Sequence, residues 1–134
     1  MITLSLLQFL QDNGFGEIDK DLFWQKLALG KVGVYITDLG VEQTRGQRRQ
    51  QRYELYSRGT SDTNGYERLK AIIDFLNNSY DNCVLPATQV GLGNNRHYTE
   101  SYPNATIMPL STPTNIGVDA NGRVIWSASG VINY

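Results

Sequence analysis

The chain has almost no sulfur chemistry and almost no imidazole. Its single cysteine, Cys83, excludes an intramolecular disulfide framework and any multi-cysteine zinc site. Its single histidine, His97, excludes the His-pair motifs on which most metalloenzymes rest. An excess of one charge is missing too. Twelve Lys+Arg against 13 Asp+Glu leave a net charge of -1, which excludes a uniformly basic nucleic-acid coat and an acidic solubilising tail. No apolar run approaches the roughly 18 residues that a membrane span needs, so no membrane partner is expected. The apolar start, Met1 to Leu10, lacks the positive flank of a signal peptide and runs into Gln11-Asp12-Asn13-Gly14, not a small-residue cleavage site. The sequons Asn77-Asn78-Ser79 and Asn104-Ala105-Thr106 then read as chance matches, and the chain as a soluble protein of a reducing cytoplasm. Solenoid-period repeats and low-complexity tracts are absent as well.

What is there suffices for one modest core. The 134 residues are 40% hydrophobic and 10% aromatic, which predicts a single domain over 1–134. Ile2, Leu6, Phe9 and Leu10 recur at helical spacing, and Asn13-Gly14 supplies a left-handed stop. Between 15 and 30, Phe15, Ile18, Leu22, Phe23, Trp24 and Leu27 suit either a short helix or a hydrophobic connecting arm. Asp19 and Asp21 favour a helix start before Leu22. Lys31 to Thr37 alternates as a strand, and Gln50 to Arg58 does the same. The polar stretch Asp38 to Arg49 makes the two a hairpin with a long tip.

Asn64 with Glu67 resembles a capping box opening a helix whose buried stripe is Tyr66, Leu69, Ile72, Ile73, Leu76 and Tyr80. From Asp81 to Pro113 the signal weakens, with one short strand expected over Ala105 to Leu110. Asn121-Gly122, between Ile116–Asp119 and Arg123–Trp126, marks a tight hairpin whose second strand continues towards Tyr134. The expected fold class is α+β: an antiparallel-rich sheet of about four to five strands with helices packed on one face, in the order α-β-β-α-β-β.

The residues with chemical potential are weighed against plainer roles. Cys83 with His97 as its base would make a nucleophile, but no motif supports the pair, and a free cysteine is far more often a small core hydrophobe. His97 lies in a polar loop with no Gly-x-Ser-x-Gly elbow anywhere in the chain. Gly91-Leu92-Gly93 is half of a dinucleotide fingerprint and reads as a flexible loop. The carboxylates are scattered, and Asp119 reads as a turn residue.

The most unusual segment runs from Arg45 through Arg48 and Arg49 to Arg52. Residues 41–52 carry four arginines and one acid, a local +3 against -4 for the rest of the chain. That bias favours a charged tip reaching a neighbouring protein or a nucleic acid over a merely solvated loop. Base-stacking aromatics are missing from the tip, which weakens a dedicated single-strand binder.

The order of elements resembles the tail terminator proteins of long-tailed bacteriophages, also called tail-completion, head–tail joining or minor capsid proteins. The resemblance is carried by the apolar helix Ile2–Leu10 and by Val32 to Thr37 running through a polar tip into Gln51 to Gly59. The helix Tyr66–Tyr80 and the final strand Arg123 to Tyr134 complete it. It implies a structural virion protein at the head–tail interface, assembled in the bacterial host cytoplasm. Such a protein forms a homo-oligomeric ring, hexameric in this family, that caps the tail tube and meets the head connector or a head-completion protein. DNA passes transiently through the lumen. No catalysis and no cofactor are implied.

In that setting Arg45, Arg48, Arg49, Arg52, Arg58 and Arg96 are the candidate partner or subunit contacts. The near-neutral overall charge favours protein contacts over a DNA-gripping lumen. Two other readings stay open: a small nucleic-acid-binding module acting through the tip at 45–52, and, less favoured, a small enzyme using His97 with Cys83.

Overall fold

The computed structural model describes residues 2–25, 31–43, 48–78, 83–90 and 97–134. Helix α1 spans Ile2–Asp12 and stops at Asn13-Gly14, where Gly14 adopts φ +85°. The predicted stripe is buried, but so are Thr3, Leu4, Ser5 and Leu7. A helix buried on nearly every side lies inside the structure and not on a sheet face as a layer. Its polar residues find partners: the Ser5 hydroxyl lies 3.2 Å from Thr99 Oγ1, and Gln8 Oε1 accepts from the Thr88 hydroxyl at 2.6 Å.

The segment expected as a helix or arm forms a strand instead, β1, Leu22–Trp24. Asp19 sits at φ +70°, which breaks helical continuity. Asp21 then accepts the Glu17 amide and ion-pairs with Arg68 at 2.9 Å. Strands β2, Gly33–Gln43, and β3, Arg49–Arg58, form a hairpin as expected, but its tip is shorter than expected: Asp38 to Gln43 continue β2 and pair with β3 up to Arg49, with an irregularity between Asp38 and Gly40.

Helix α2, Asp62–Leu76, starts earlier than the Asn64–Glu67 pattern suggests. Ser61 is the N-cap and accepts from the Asn64 amide at 3.1 Å, while Asn64 Oδ1 accepts from Thr60 N at 3.3 Å. Leu69, Ile72, Ile73 and Leu76 are buried as expected, and Tyr66 packs edge-on to Trp126 at 5.0 Å. Tyr80 lies outside the described residues.

The weak-signal region holds most of what the sequence reading missed. It contains β4, Cys83–Leu85; β5, Thr88–Val90; β6, His97–Thr99; and β7, Tyr102–Ile107. Three of these are only three residues long, too short for alternation to register. The predicted final hairpin is present as β8, Thr114–Val118, and β9, Val124–Asn133, with Gly122 at φ +76° in its turn.

The fold class expected from sequence is therefore corrected. Among the described residues, two helices and nine strands form a sheet-rich fold, mostly a half-barrel of mixed parallel and antiparallel strands. The main sheet runs β1-β2-β3-β9-β7-β4, with β8 also on β9; β5 and β6 form a separate pair. β1 is parallel to β2, and the other pairs are antiparallel. Helix α1 is flanked by strands of the main sheet and by β5 and β6, while α2 packs on β3 and β9.

At the centre, Tyr53 on β3 lies directly opposite Gly130 on β9. A Cβ added at Gly130 would sit 2.3 Å from the Tyr53 ring, so the glycine makes room for it. The Tyr53 hydroxyl is buried with no hydrogen-bond partner among the described residues, and burial raises its pKa. Urea denaturation should therefore find Tyr53→Phe unchanged or more stable by about 1 kcal/mol, because it removes an unsatisfied buried group. Gly130→Ala should lose about 1–3 kcal/mol by overpacking.

Candidate functional site

The β2–β3 hairpin carries the arginine-rich segment, and its register sets where each arginine falls. Gln43 pairs with Arg49, Glu42 with Gln50, and Gly40 with Arg52. Arg48 and Arg49 are exposed at the tip end, and Arg52 is exposed further down the strand. The backbone of Arg49 exchanges two hydrogen bonds with Tyr134, at 2.6 and 2.9 Å, which ties the tip to the last residue of the chain. Arg48 donates to the Asn104 carbonyl at 3.3 Å, so the tip end also meets β7. Arg45 and Arg96 lie outside the described residues.

Gln51 looks from sequence like one more polar residue of the tip, yet it is buried. Its side-chain amide donates to the carbonyls of Gly40 at 3.0 Å and Arg52 at 2.8 Å. It thereby holds the hairpin together at the irregularity in β2. Arg52 lies beside a shallow depression of about 190 Å³, which Leu39, Met108, Pro109, Ser129 and Val131 also line.

Arg58 is placed apart from the others. It sits at the far end of β3, ~20 Å from Arg52 at strand spacing. It is buried, and its guanidinium ion-pairs with Asp119 at 3.1 Å. It also donates to the Lys31 carbonyl through Nε at 2.9 Å and a terminal nitrogen at 2.6 Å. The structure thus gathers Arg48, Arg49 and Arg52 towards one end of the hairpin and uses Arg58 within the chain.

Asp119 is the turn residue that the sequence suggests, since its Oδ1 accepts from the amides of Asn121 and Arg123, both at 2.9 Å. The pairing of its other oxygen with Arg58 has no local sequence signal, because the two residues come from distant segments. The Arg123 amide, then the Asn121 amide and the charges of Arg58 and Arg123, hold its carboxyl below the ordinary value against the opposing effect of burial.

The remaining chemical candidates disperse. Cys83 packs partly buried against the core, and burial raises its thiol pKa. That disfavours the thiolate a nucleophile needs. His97 lies in the other sheet, with its ring 4.9 Å from that of Trp24. Trp24 Nε1 donates to Thr3 Oγ1 at 3.2 Å, the Thr3 hydroxyl donates to Asp38, and Gln25 donates to the other Asp38 oxygen at 3.1 Å. This network fastens the start of α1 to β2.

A larger cleft of about 680 Å³ lies over the 14–21 loop. Its polar groups are engaged within the chain: Gln11 Oε1 accepts from Ile18 N at 2.7 Å, and Asp21 holds Arg68. Among the described residues no cluster of His, Cys, Asp and Glu could hold a metal ion. No helix among them is long and apolar enough to cross a membrane. No protein-family model matches the chain, and no curated protein matches it.

The lowered Asp119 pKa sets a sign for acid sensitivity. A depressed folded-state pKa gives stability that is present above the unfolded value of about 3.9 and lost as pH falls through the folded value. Asp119→Asn should lower the melting temperature at neutral pH, and its deficit relative to the parent should shrink as the pH is taken below about 4. Melting curves across that range check both points.

Proposed function

We propose that this chain is a structural virion protein of a long-tailed bacteriophage, a tail terminator. In this reading copies form a ring, hexameric as in the family it resembles, at the end of the tail tube. The ring joins the tube to the head connector or a head-completion protein, and DNA passes through its lumen. The chain acts by shape and contact, without catalysis or a cofactor, in the virion after assembly in the bacterial host cytoplasm.

The observation that supports this is the placement of its exposed apolar side chains. Of the seven large apolar side chains exposed among the described residues, six lie on strands, namely Leu39, Val41, Val84, Tyr98, Ile116 and Val118; the seventh, Met108, directly follows β7. Strand β8 has all five of its residues exposed, including Ile116 and Val118. Apolar strands left open to water are covered in working proteins or become sites of aggregation. A subunit that is completed by its neighbours accounts for them.

A second reading rests on the hairpin end. Arg48, Arg49 and Arg52 are exposed there, in a segment with a local excess of positive charge. A nucleic-acid-binding module would use them as phosphate contacts.

Negative-stain electron microscopy of the purified chain, alone and with tail-tube protein, separates the two readings. The ring reading expects closed rings, or rings at one end of tubes; dispersed monomers in both samples overturn it. Arg48→Ala, Arg49→Ala and Arg52→Ala together should leave DNA retention unchanged at every salt concentration. A loss of affinity of tenfold or more at low salt would instead establish the second reading.

A further inference from the structure

Besides the outer edges of the three-residue end strands β1 and β4, two stretches of the main sheet lack a partner strand on one side among the described residues and carry two exposed apolar side chains each. The first is the outer edge of β2 beyond Asp38. Strand β1 covers β2 only from Val34 to Ile36. Gln25 serves the next positions: its amide donates to the Ile36 carbonyl, its carbonyl accepts from Thr37 Oγ1, and its Oε1 accepts from Asp38 N. From Gly40 to Gln43, β2 pairs with β3 alone. The second stretch is the outer edge of β8, Thr114–Val118, which pairs with β9 alone.

Both stretches present apolar side chains to solvent. Leu39 is 47% and Val41 53% exposed on β2; Ile116 is 51% and Val118 64% exposed on β8. Each stretch is broken by one irregularity, between Asp38 and Gly40 on β2 and between Asn115 and Val118 on β8, but the stronger blocks to pairing are few. Neither stretch contains proline or lysine, and β8 contains no charged residue at all.

We propose that the β2 edge of one copy pairs with the β8 edge of the next, so that the partner for both surfaces is a second copy of this chain. The proposal rests on the ring reading above and names its subunit junction. Three features of the fold argue for it.

Strand direction is the first. β2 and β9 are each antiparallel to β3, so they run the same way, and β8 is antiparallel to β9. A neighbour in the same orientation therefore offers β8 antiparallel to β2, the sense in which most of the sheet is already built. Coverage is the second. Pairing of β2 with β2, or of β8 with β8, leaves the other apolar edge bare in the dimer, whereas head-to-tail pairing covers both in every copy of a closed ring. Stagger is the third. The bare part of β2 lies at the tip end of the hairpin, opposite Arg49 to Arg52. β8 lies at the other end, against the part of β9 that pairs with Tyr56 and Ser57. Joining these diagonal corners shifts each copy along the strand direction, and a sheet that closes on itself requires such a shift.

The test uses two blocked chains. Leu39→Lys with Val41→Lys blocks the β2 edge, and Ile116→Lys with Val118→Lys blocks the β8 edge. All four side chains are exposed, so circular dichroism and melting should match the parent. Sedimentation velocity is run on the parent, on each blocked chain and on their equimolar mixture, over a concentration series. The parent should associate. Each blocked chain alone should need at least about tenfold more protein to do so. The mixture should give one-to-one dimers and nothing larger, because only one junction can form.

Dimers of the β8-blocked chain alone would overturn the proposal in favour of pairing between like edges. A mixture that fails to dimerise while the parent associates would place the junction elsewhere. If the parent also caps tubes in that case, the joining role stands and only the junction falls. A parent that stays monomeric at every concentration, and with tube protein, removes both.

Discussion

Strand β9 has two edges and three neighbours. One edge is taken by β3, from Gln50↔Asn133 to Ser57↔Trp126. The other is divided: β8 pairs along Val124 to Ser127, and β7 pairs at Ile132 and Asn133. The ten residues of β9 therefore organise two half-sheets, with β8 closing one and β7 and β4 extending the other. Because each lateral strand covers only part of β9, the sheet ends in staggered corners. The exposed apolar edge of β8 follows from that division.

A molecule built this way must satisfy polar groups at the joints between its parts. Asn77, just past the end of α2, makes a two-way exchange with the backbone of Leu110, donating to its carbonyl at 2.8 Å and accepting from its amide at 2.7 Å. Gln51 holds β2 against β3 where their register slips. Arg58 and Asp119 join the base of the hairpin to the β8–β9 turn at 3.1 Å. A buried pair of this kind is costly to break, because the surviving charge is left without a partner away from water. These joints hold the strands in register while the apolar core, drawn from both helices and the inward strand faces, supplies the driving force.

Much of the core was legible in the sequence. The helical spacing of Ile2, Leu6 and Leu10, the stripe from Leu69 to Leu76, and the alternation in the β2–β3 hairpin (Val34, Ile36, Tyr53 and Leu55) reappear as buried positions. Long elements repeat their pattern often enough to be read. The three-residue strands β1, β4, β5 and β6 do not, and they account for much of the difference between the expected sheet and the observed half-barrel. The arginine segment was legible as a charge excess, and Arg48, Arg49 and Arg52 do share one end of the hairpin. Arg58 was not separable from them, since on a strand an arginine bound for the interior looks the same as one bound for solvent. Gln51 and Ser5 are polar and buried, and nothing local in the sequence marks them as such. A polar residue at a buried position is recognised by its partner, and the partners come from elsewhere in the chain.

The sequence by itself determined the long helices, the two hairpins and most of the residues that leave water, because those depend on local periodicity and on turn chemistry such as Asn121-Gly122. The tertiary structure alone decided how the strands are shared. Which edge of β9 receives β7 and which part receives β8, the pairing of Arg58 with Asp119, and the bare edges of β2 and β8 depend on contacts between segments far apart in the chain. Local propensity carries no information about such contacts, because their stabilisation appears only when both partners are already in place.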